Sequence, residues 1–247
     1  MILGKLKRGR VIVEDASDAS TLRNKGYLGK NLGERLSLDF ATSADLVMRR
    51  KMQVLKGGNV MSLDQLEAMM SPEERKMAAA YHFLRAKGMK PVIRNGRIYA
   101  YGKNVAVFRE DETVRFNGNK VKQFLMAIVD SEGSCLVYSV SRLGLLGRSG
   151  GRTESRNDST RGGLLTRLLT DKGMTVASGF KFGAEFRLYK GKSSHAKYLM
   201  TEGEESLARD VVGRVRIAQS VRKSYVQAAF DREKEKFTFL EIRWIRL

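Results

Sequence analysis

The run GRSGGRTESRNDSTRGG, from Gly147 to Gly163, contains no large apolar residue. Such a stretch has nothing to bury and reads as a flexible connector, so the chain must build its cores before and after it. The segments on its two sides look like copies of one another. In the first, YHFLRAKGM is followed by Gly96, Gly102 and VAVFR; in the second, LTRLLTDKGM is followed by Gly179, Gly183 and EFRLYK. Further on, VDSEGSCLVYSVSRL resembles the C-terminal FDREKEKFTFLEIRWIRL, which aligns Asp130 with Asp231 and Lys122 with Lys223. The copies differ where chemistry is concerned. Phe108 stands in the place of Tyr189, and no histidine follows it. A phenylalanine keeps the packing and loses the hydroxyl, so the first copy reads as a scaffold whose chemistry has gone. The alternative is two unrelated helix–strand units that are similar by chance.

The charge balance narrows the class of partner. The 247 residues carry 46 Lys plus Arg against 27 Asp plus Glu, a net charge of +19. That excess points to a polyanion, and nucleic acid is the commonest. No apolar run is long enough to span a bilayer, the opening MILGKLKRGR lacks a signal-peptide core, and no basic amphipathic anchor is present. The expectation is a cytoplasmic chain with no membrane partner. A single cysteine, Cys135, excludes an intramolecular disulfide framework, and its setting in CLVYSV reads as an inert buried thiol. With one Cys and two distant histidines, His82 and His195, no metal or cofactor site is expected.

Local signals place several elements. Ser71-Pro72-Glu73-Glu74 forms a helix start with a cap, a proline suited to the first turn and a capping box. That helix should end at Gly88, and LLTRLLTDK should end likewise at Gly173. A third helix is expected from about Glu205, with Leu207, Val211, Val215 and Ala218 on one face, acids at its start and bases at its end. NVAVF, FLMAIV, CLVYSV, EFRLY, KYLM, YVQAAF and FTFLEIRWI read as strands. His82, mid-helix beside Tyr81 and Phe83, reads as structural or surface.

Tyr189, His195 and Lys223 make a constellation that can cleave RNA without a metal. A base removes the 2′-OH proton, an acid protonates the departing 5′-oxygen, and a cation steadies the crowded phosphate. Histidine suits the acid role with an ordinary pKa of about 6.5. Tyrosine, at about 10, needs nearby cations to act as a base, and Lys190, Lys192, Lys197 and Lys223 surround it in sequence.

The frame around these residues is a helix ending at KGM, then GFKFGAEFRLY, SHAKYLM, RIAQSVRK and a C-terminal strand. It resembles the archaeal tRNA-splicing endonuclease family over residues 164–247, with 76–144 fitting as a degenerate copy. KGYLGKNLGERLSLDF is similar to the family's N-terminal domain. The resemblance implies an α+β chain: a small N-terminal α/β domain (1–75), a degenerate catalytic-like domain (76–147), a linker (148–163) and a catalytic domain (164–247). Both later domains would be helix-plus-mixed-sheet and restriction-endonuclease-like.

Carried over by motif, Tyr189 is the general base, His195 the general acid and Lys223 the cation at the transition state. Arg216 would sandwich a flipped base, with Arg243 and Trp244 as further RNA contacts. The implied substrate is precursor tRNA with a bulge–helix–bulge. Its two scissile bonds imply a homodimer with a pseudo-tetrameric arrangement of domains. The acidic turn at Asp130 and Glu132 resembles the family's loop that inserts into a basic pocket of the opposite chain, and the edge-like C-terminal strand is expected to pair with its counterpart or with the silent copy. A non-catalytic RNA-binding or structural subunit is the alternative. It would explain the charge and the silent copy, but not why the three residues stand together. A metal-dependent DNA nuclease would need an acidic cluster, and the second copy has none that convinces.

Overall fold

In a computed structural model, the structure describes residues 1–26, 29–116, 123–145, 161–191, 193–232 and 234–246. The connector up to residue 160, Tyr27 and Leu28 of the KGYLGK motif, Lys122, Lys192 and Glu233 lie outside the described residues. The chain forms two compact units, Met1–Arg109 with Ala127–Cys135, and Glu110–Met126 with Leu136–Arg246. It is a mixed α+β chain, with six helices and large mixed sheets among the described residues.

The first unit begins with a six-stranded sheet. Its strands are β1 (Ile2–Lys7), β2 (Arg10–Val13), β3 (Lys30–Leu32), β4 (Arg35–Leu38), β5 (Met52–Lys56) and β6 (Asn59–Met61), in the order β3-β4-β2-β1-β5-β6. Only the β1–β5 pair is parallel; the other pairings are antiparallel. Helices α1 (Ala16–Asn24), α2 (Phe40–Met48) and α3 (Leu63–Ala68) bring Leu22, Leu46 and Leu66 against Val11, Val13, Leu36 and Leu38. Local chemistry starts each helix. The Asp15 and Asp39 carboxylates cap α1 and α2, and Ser62 with Gln65 forms a capping box on α3. Asp39 is half-buried, and loss of water around its carboxyl pushes it above the usual range.

Helix α4 (Pro72–Ala86) starts at the Ser71–Glu74 capping box and stops before Gly88, which has φ +76°, as expected. It is followed by the meander β7 (Val92–Arg94), β8 (Arg97–Ala100) and β9 (Lys103–Arg109), and α4 packs on β9. His82 proves structural. Its Nδ1 lies 2.8 Å from Oδ1 of Asp45, a fully buried carboxylate of α2 that also accepts from Arg49 Nε at 2.8 Å. The sites Arg8-Gly9, Gly57-Gly58, Asn95-Gly96 and Tyr101-Gly102 are two-residue hairpin turns with positive φ at both positions. That geometry matches strand twist, and it demands residues that tolerate the left-handed region.

In the second unit, β10 (Thr113–Arg115) precedes β11 (Gln123–Val129), whose last residues belong to the first unit, and β12 (Cys135–Arg142). Helix α5 (Arg161–Asp171), β13 (Met174–Ser178), β14 (Phe186–Lys190), β15 (Tyr198–Glu202), β16 (Glu205–Leu207), α6 (Ala208–Ser220), β17 (Ser224–Asp231) and β18 (Lys236–Trp244) follow. The sheet of this unit runs β13-β14-β15-β17-β18-β12. One face is a core of Met174, Leu188, Tyr198, Met200, Val226 and Phe239 under Leu165 and Leu169 of α5. On the other face α6 lies on β17 and β18 through buried Ala208, Val211, Val215 and Ala218.

Three local expectations change. Helix α5 starts at Arg161 and takes in Gly162 and Gly163, which composition assigned to the connector. The third helix starts at Ala208, because Glu205–Leu207 is a strand paired with β10, Thr113 opposite Leu207. Its partner lies about ninety residues away in sequence, so periodicity around Glu205 carries no trace of it. The bases expected in the last turn fall beyond the helix cap, at Arg222 and Lys223. The C-terminal strand pairs with the strand of the first copy, within the chain, and so is no edge: β18 lies between β17 and β12, with Arg142 opposite Leu240 and Tyr138 opposite Trp244.

Cys135 is 5% exposed, and burial, helped by the nearby Asp130 charge, pushes its thiol up to about 12. At pH 8 the native protein should therefore react with a disulfide reagent such as DTNB only as fast as it opens. One equivalent should react at once in guanidinium. Rapid labelling of the native chain would contradict this burial.

Candidate active site

Strand registers bring the distant residues together. Tyr189 lies opposite Thr175, Leu188 opposite Tyr198, and Tyr198 beside Ser224. Where β15 begins, Lys197 N donates to Leu188 O (2.8 Å) and Ser224 N to Lys197 O (3.1 Å). Tyr189 and Lys223 each stand one residue beyond the register row Leu188–Tyr198–Ser224, at the same end of β14, β15 and β17. Strands lie about 4.8 Å apart, so the Tyr189 and Lys223 backbones are separated by about 10 Å. Leu188, Tyr198 and Val226 face the α5 core, so alternation turns Tyr189 and Lys223 toward the opposite face, the one that carries α6.

His195 sits in the loop that joins β14 to β15, at the end of these strands where Tyr189 and Lys223 stand. It is exposed and only two residues before Lys197, a reach of at most about 7 Å. Ser193 shapes this loop: its Oγ donates to His195 O at 3.0 Å, and His195 N lies 3.3 Å from the same Oγ.

Lys223 is placed by the end of α6. Lys223 N donates to Ala218 O at 2.8 Å and Arg222 N to Gln219 O at 2.9 Å, a Schellman closure. The left-handed residue in it is Arg222, with φ +57°, where glycine is usual. A side chain there costs roughly 1 kcal/mol. The Lys223 ammonium donates to Val221 O at 3.2 Å, one of the helix-end carbonyls whose partial negative charge favours a cation.

Two residues were missed from sequence. The turn Phe180–Phe182 is a single 3-10 turn, and the Phe182 ring has Lys223 Nζ at 5.8 Å and Arg187 Cζ at 5.9 Å from its centroid. Arg187 also lies 5.9 Å from the Tyr189 ring, and its Nε donates to Ser178 O at 2.6 Å. Phe182 and Arg187 therefore link the base candidate to the cation candidate through ring faces. The alternation Arg187-x-Tyr189 was the available signal, since residues two apart on a strand share a face.

The other named residues divide. Trp244 lies at the same end of the sheet as Lys223, because Tyr225 pairs with Ile242 at that end of β17 and β18. Arg246 Cζ lies 5.3 Å from its ring centroid. Arg243 is the next residue along the strand and so points to the other face, where its Nη2 donates to Glu241 Oε1 at 2.7 Å. Arg216 is exposed on α6. In the first unit, Asp130 Oδ1 accepts from Glu132 N (3.0 Å) and Ser134 N (2.8 Å), so Asp130 builds the turn while Glu132 stays exposed.

Residues 164–243, which include Tyr189, His195 and Lys223, match the family model described as the catalytic C-terminal domain of tRNA intron endonuclease. Residues 2–67 match the N-terminal domain of the same family. The chain belongs to the tRNA intron endonuclease family. Among curated relatives, the tRNA-splicing endonuclease of Thermococcus gammatolerans is 36% identical over 87 residues, 34% of this chain and 51% of that one. That of Methanopyrus kandleri is 39% identical over 101 residues, 38% of this chain and 56% of that one. For Thermoplasma volcanium the match is 40% over 76 residues, 30% of this chain and 26% of the relative. The chain thus spans about half the length of the first two, and the third is a longer protein.

Within the described residues no helix is long and apolar enough to cross a membrane.

Proposed function

We propose that the chain is a tRNA-intron endonuclease that cleaves precursor tRNA at bulge–helix–bulge sites by metal-independent transesterification. The observation that carries this reading is that Tyr189 and Lys223 stand at the same end of neighbouring strands, where the β14–β15 loop carries His195, inside the match to the family's catalytic domain. Tyr189, as phenolate, takes the 2′-OH proton, and the 2′-oxygen forms a bond to phosphorus. His195, as imidazolium, gives its proton to the 5′-oxygen as the P–O5′ bond breaks. Lys223 holds the extra negative charge of the five-coordinate phosphate between these events. The products are a 2′,3′-cyclic phosphate and a 5′-OH, with no added water or electrons. Arg216 and Trp244 contact the bulge, and the net charge of +19 draws in the polyanion.

Residues 76–147 act as a degenerate copy of the catalytic domain. Its helix α4 followed by strands, the last of which carries Phe108, supports this, as does β12 pairing antiparallel with β18 at the equivalent end of the second copy. One active copy per chain and two scissile bonds per substrate favour a homodimer, in which the exposed Glu132 turn meets a basic surface of the second chain.

The test is cleavage of a minimal bulge–helix–bulge RNA with EDTA present, followed by analysis of the ends. Cyclic phosphate and 5′-OH are expected. Ends bearing 3′-OH would overturn the mechanism, and RNA binding without any cleavage would favour a non-catalytic subunit.

A further inference from the structure

Phe180 is 88% exposed, the most exposed of the large hydrophobic side chains among the described residues. It is held by a closed turn. Phe182 N donates to Gly179 O at 2.8 Å, Gly183 N to Phe180 O at 3.0 Å, and Gly179 N to Glu185 O at 2.9 Å. A Cβ on Gly179 would stand 2.8 Å from Ala184 O and 2.9 Å from Phe186 N, and Gly183 takes φ +64°. The ring is therefore presented by fixed backbone. An apolar ring kept in water on a rigid support gains nothing from folding, and that points to a ligand with a flat apolar face.

Its surroundings define that ligand. Two residues on, the Phe182 ring meets Lys223 and Arg187. Lys181 Nζ stands 5.0 Å from the same ring. Ile217, 39% exposed on α6, has its Cδ1 within 3.8 Å of where a Gly183 Cβ would be, which places apolar surface next to the turn. The one acid of the segment, Glu185, is occupied by Glu202 N at 2.9 Å. An exposed aromatic set among cations matches the chemistry of an unpaired nucleotide, with base on ring and phosphate on ammonium or guanidinium.

We infer that Phe180 is a stacking platform for an unpaired base of the bound RNA, next to the scissile phosphate. This rests on the proposed endonuclease function and adds a binding residue to it.

The test uses the full-length chain and a bulge–helix–bulge RNA with a 2′-deoxy scissile nucleotide, so that binding is read without cleavage. Phe180→Ala should weaken binding by about 5- to 100-fold, the range of base–aromatic stacking. The salt dependence should not change, since no phosphate contact is lost. Phe180→Trp should bind like the unmodified chain, and plain duplex RNA should not distinguish Phe180→Ala from it. Equal affinity of Phe180→Ala for the bulged RNA would overturn the inference. So would an equal loss on plain duplex, or a change in sedimentation showing that the ring covers a second copy. If the unmodified chain neither binds nor cleaves bulged RNA, the endonuclease reading falls and takes the inference with it. If it does both and Phe180→Ala is unaltered, the inference alone falls.

Discussion

Replacing His195 with alanine is expected to lower the single-turnover rate on a bulge–helix–bulge RNA by about 10²–10⁴-fold, the usual worth of a positioned acid. Affinity for the RNA should be unchanged. His195 is exposed, and the contacts shown for it are backbone ones to Ser193, so the side chain carries little of the fold. The thermal midpoint should stay where it is, which separates lost chemistry from lost structure. A sharper measurement replaces the leaving 5′-oxygen of the substrate with sulfur. A thiolate departs without being protonated, so the variant and the unmodified chain should cleave that RNA at similar rates. A variant that stays slow on the sulfur substrate would remove His195 from the acid role. One that cleaves the oxygen substrate at full rate would do the same.

Leu188→Ala should act on stability instead. Leu188 is fully buried on the α5 side of β14, opposite Val176 and Tyr198 in the ladders, within the core that includes Leu165, Leu169 and Met200. Truncation removes apolar surface and leaves a cavity that the ladders on both sides prevent from closing, a cost of about 2–5 kcal/mol. For a unit of this size the thermal midpoint should drop by roughly 10 °C. Tyr189 is the next residue, yet its position depends on the backbone pairing with Thr175 and not on the Leu188 side chain. Below the transition the cleavage rate per folded molecule should therefore be preserved. A midpoint unchanged by the substitution would contradict the packing of this face.

These two variants separate what a strand residue and a residue of the following loop do, chemistry in one and packing in the other. Helix starts were legible because a cap is local: Ser71 and Glu74 bond each other's backbone three residues apart. Runs such as FRLY and YVQAAF read as strands because alternation is local too. Much of the first sheet was not legible. Its strands are short, and its turn at Arg8-Gly9 gives a weaker signal than Asn-Gly would. Strand β16 was read as helix because its partner, β10, is remote in sequence.

The sequence by itself determined the chemistry available: a tyrosine, a histidine and a lysine in one segment of a chain with two histidines and a charge of +19. It also determined the helix caps and the strands that carry those residues, because hydrogen-bonding side chains and alternating apolar residues act over a few positions. Only the tertiary structure decided which of them share a surface. Register across β14, β15 and β17 sets Tyr189 and Lys223 at one end of the sheet, side-chain contacts add Phe182 and Arg187 between them, and alternation turns Arg243 away from Trp244. A shift of one residue in any ladder would reverse those faces, and register is set by pairing between segments that are far apart along the chain.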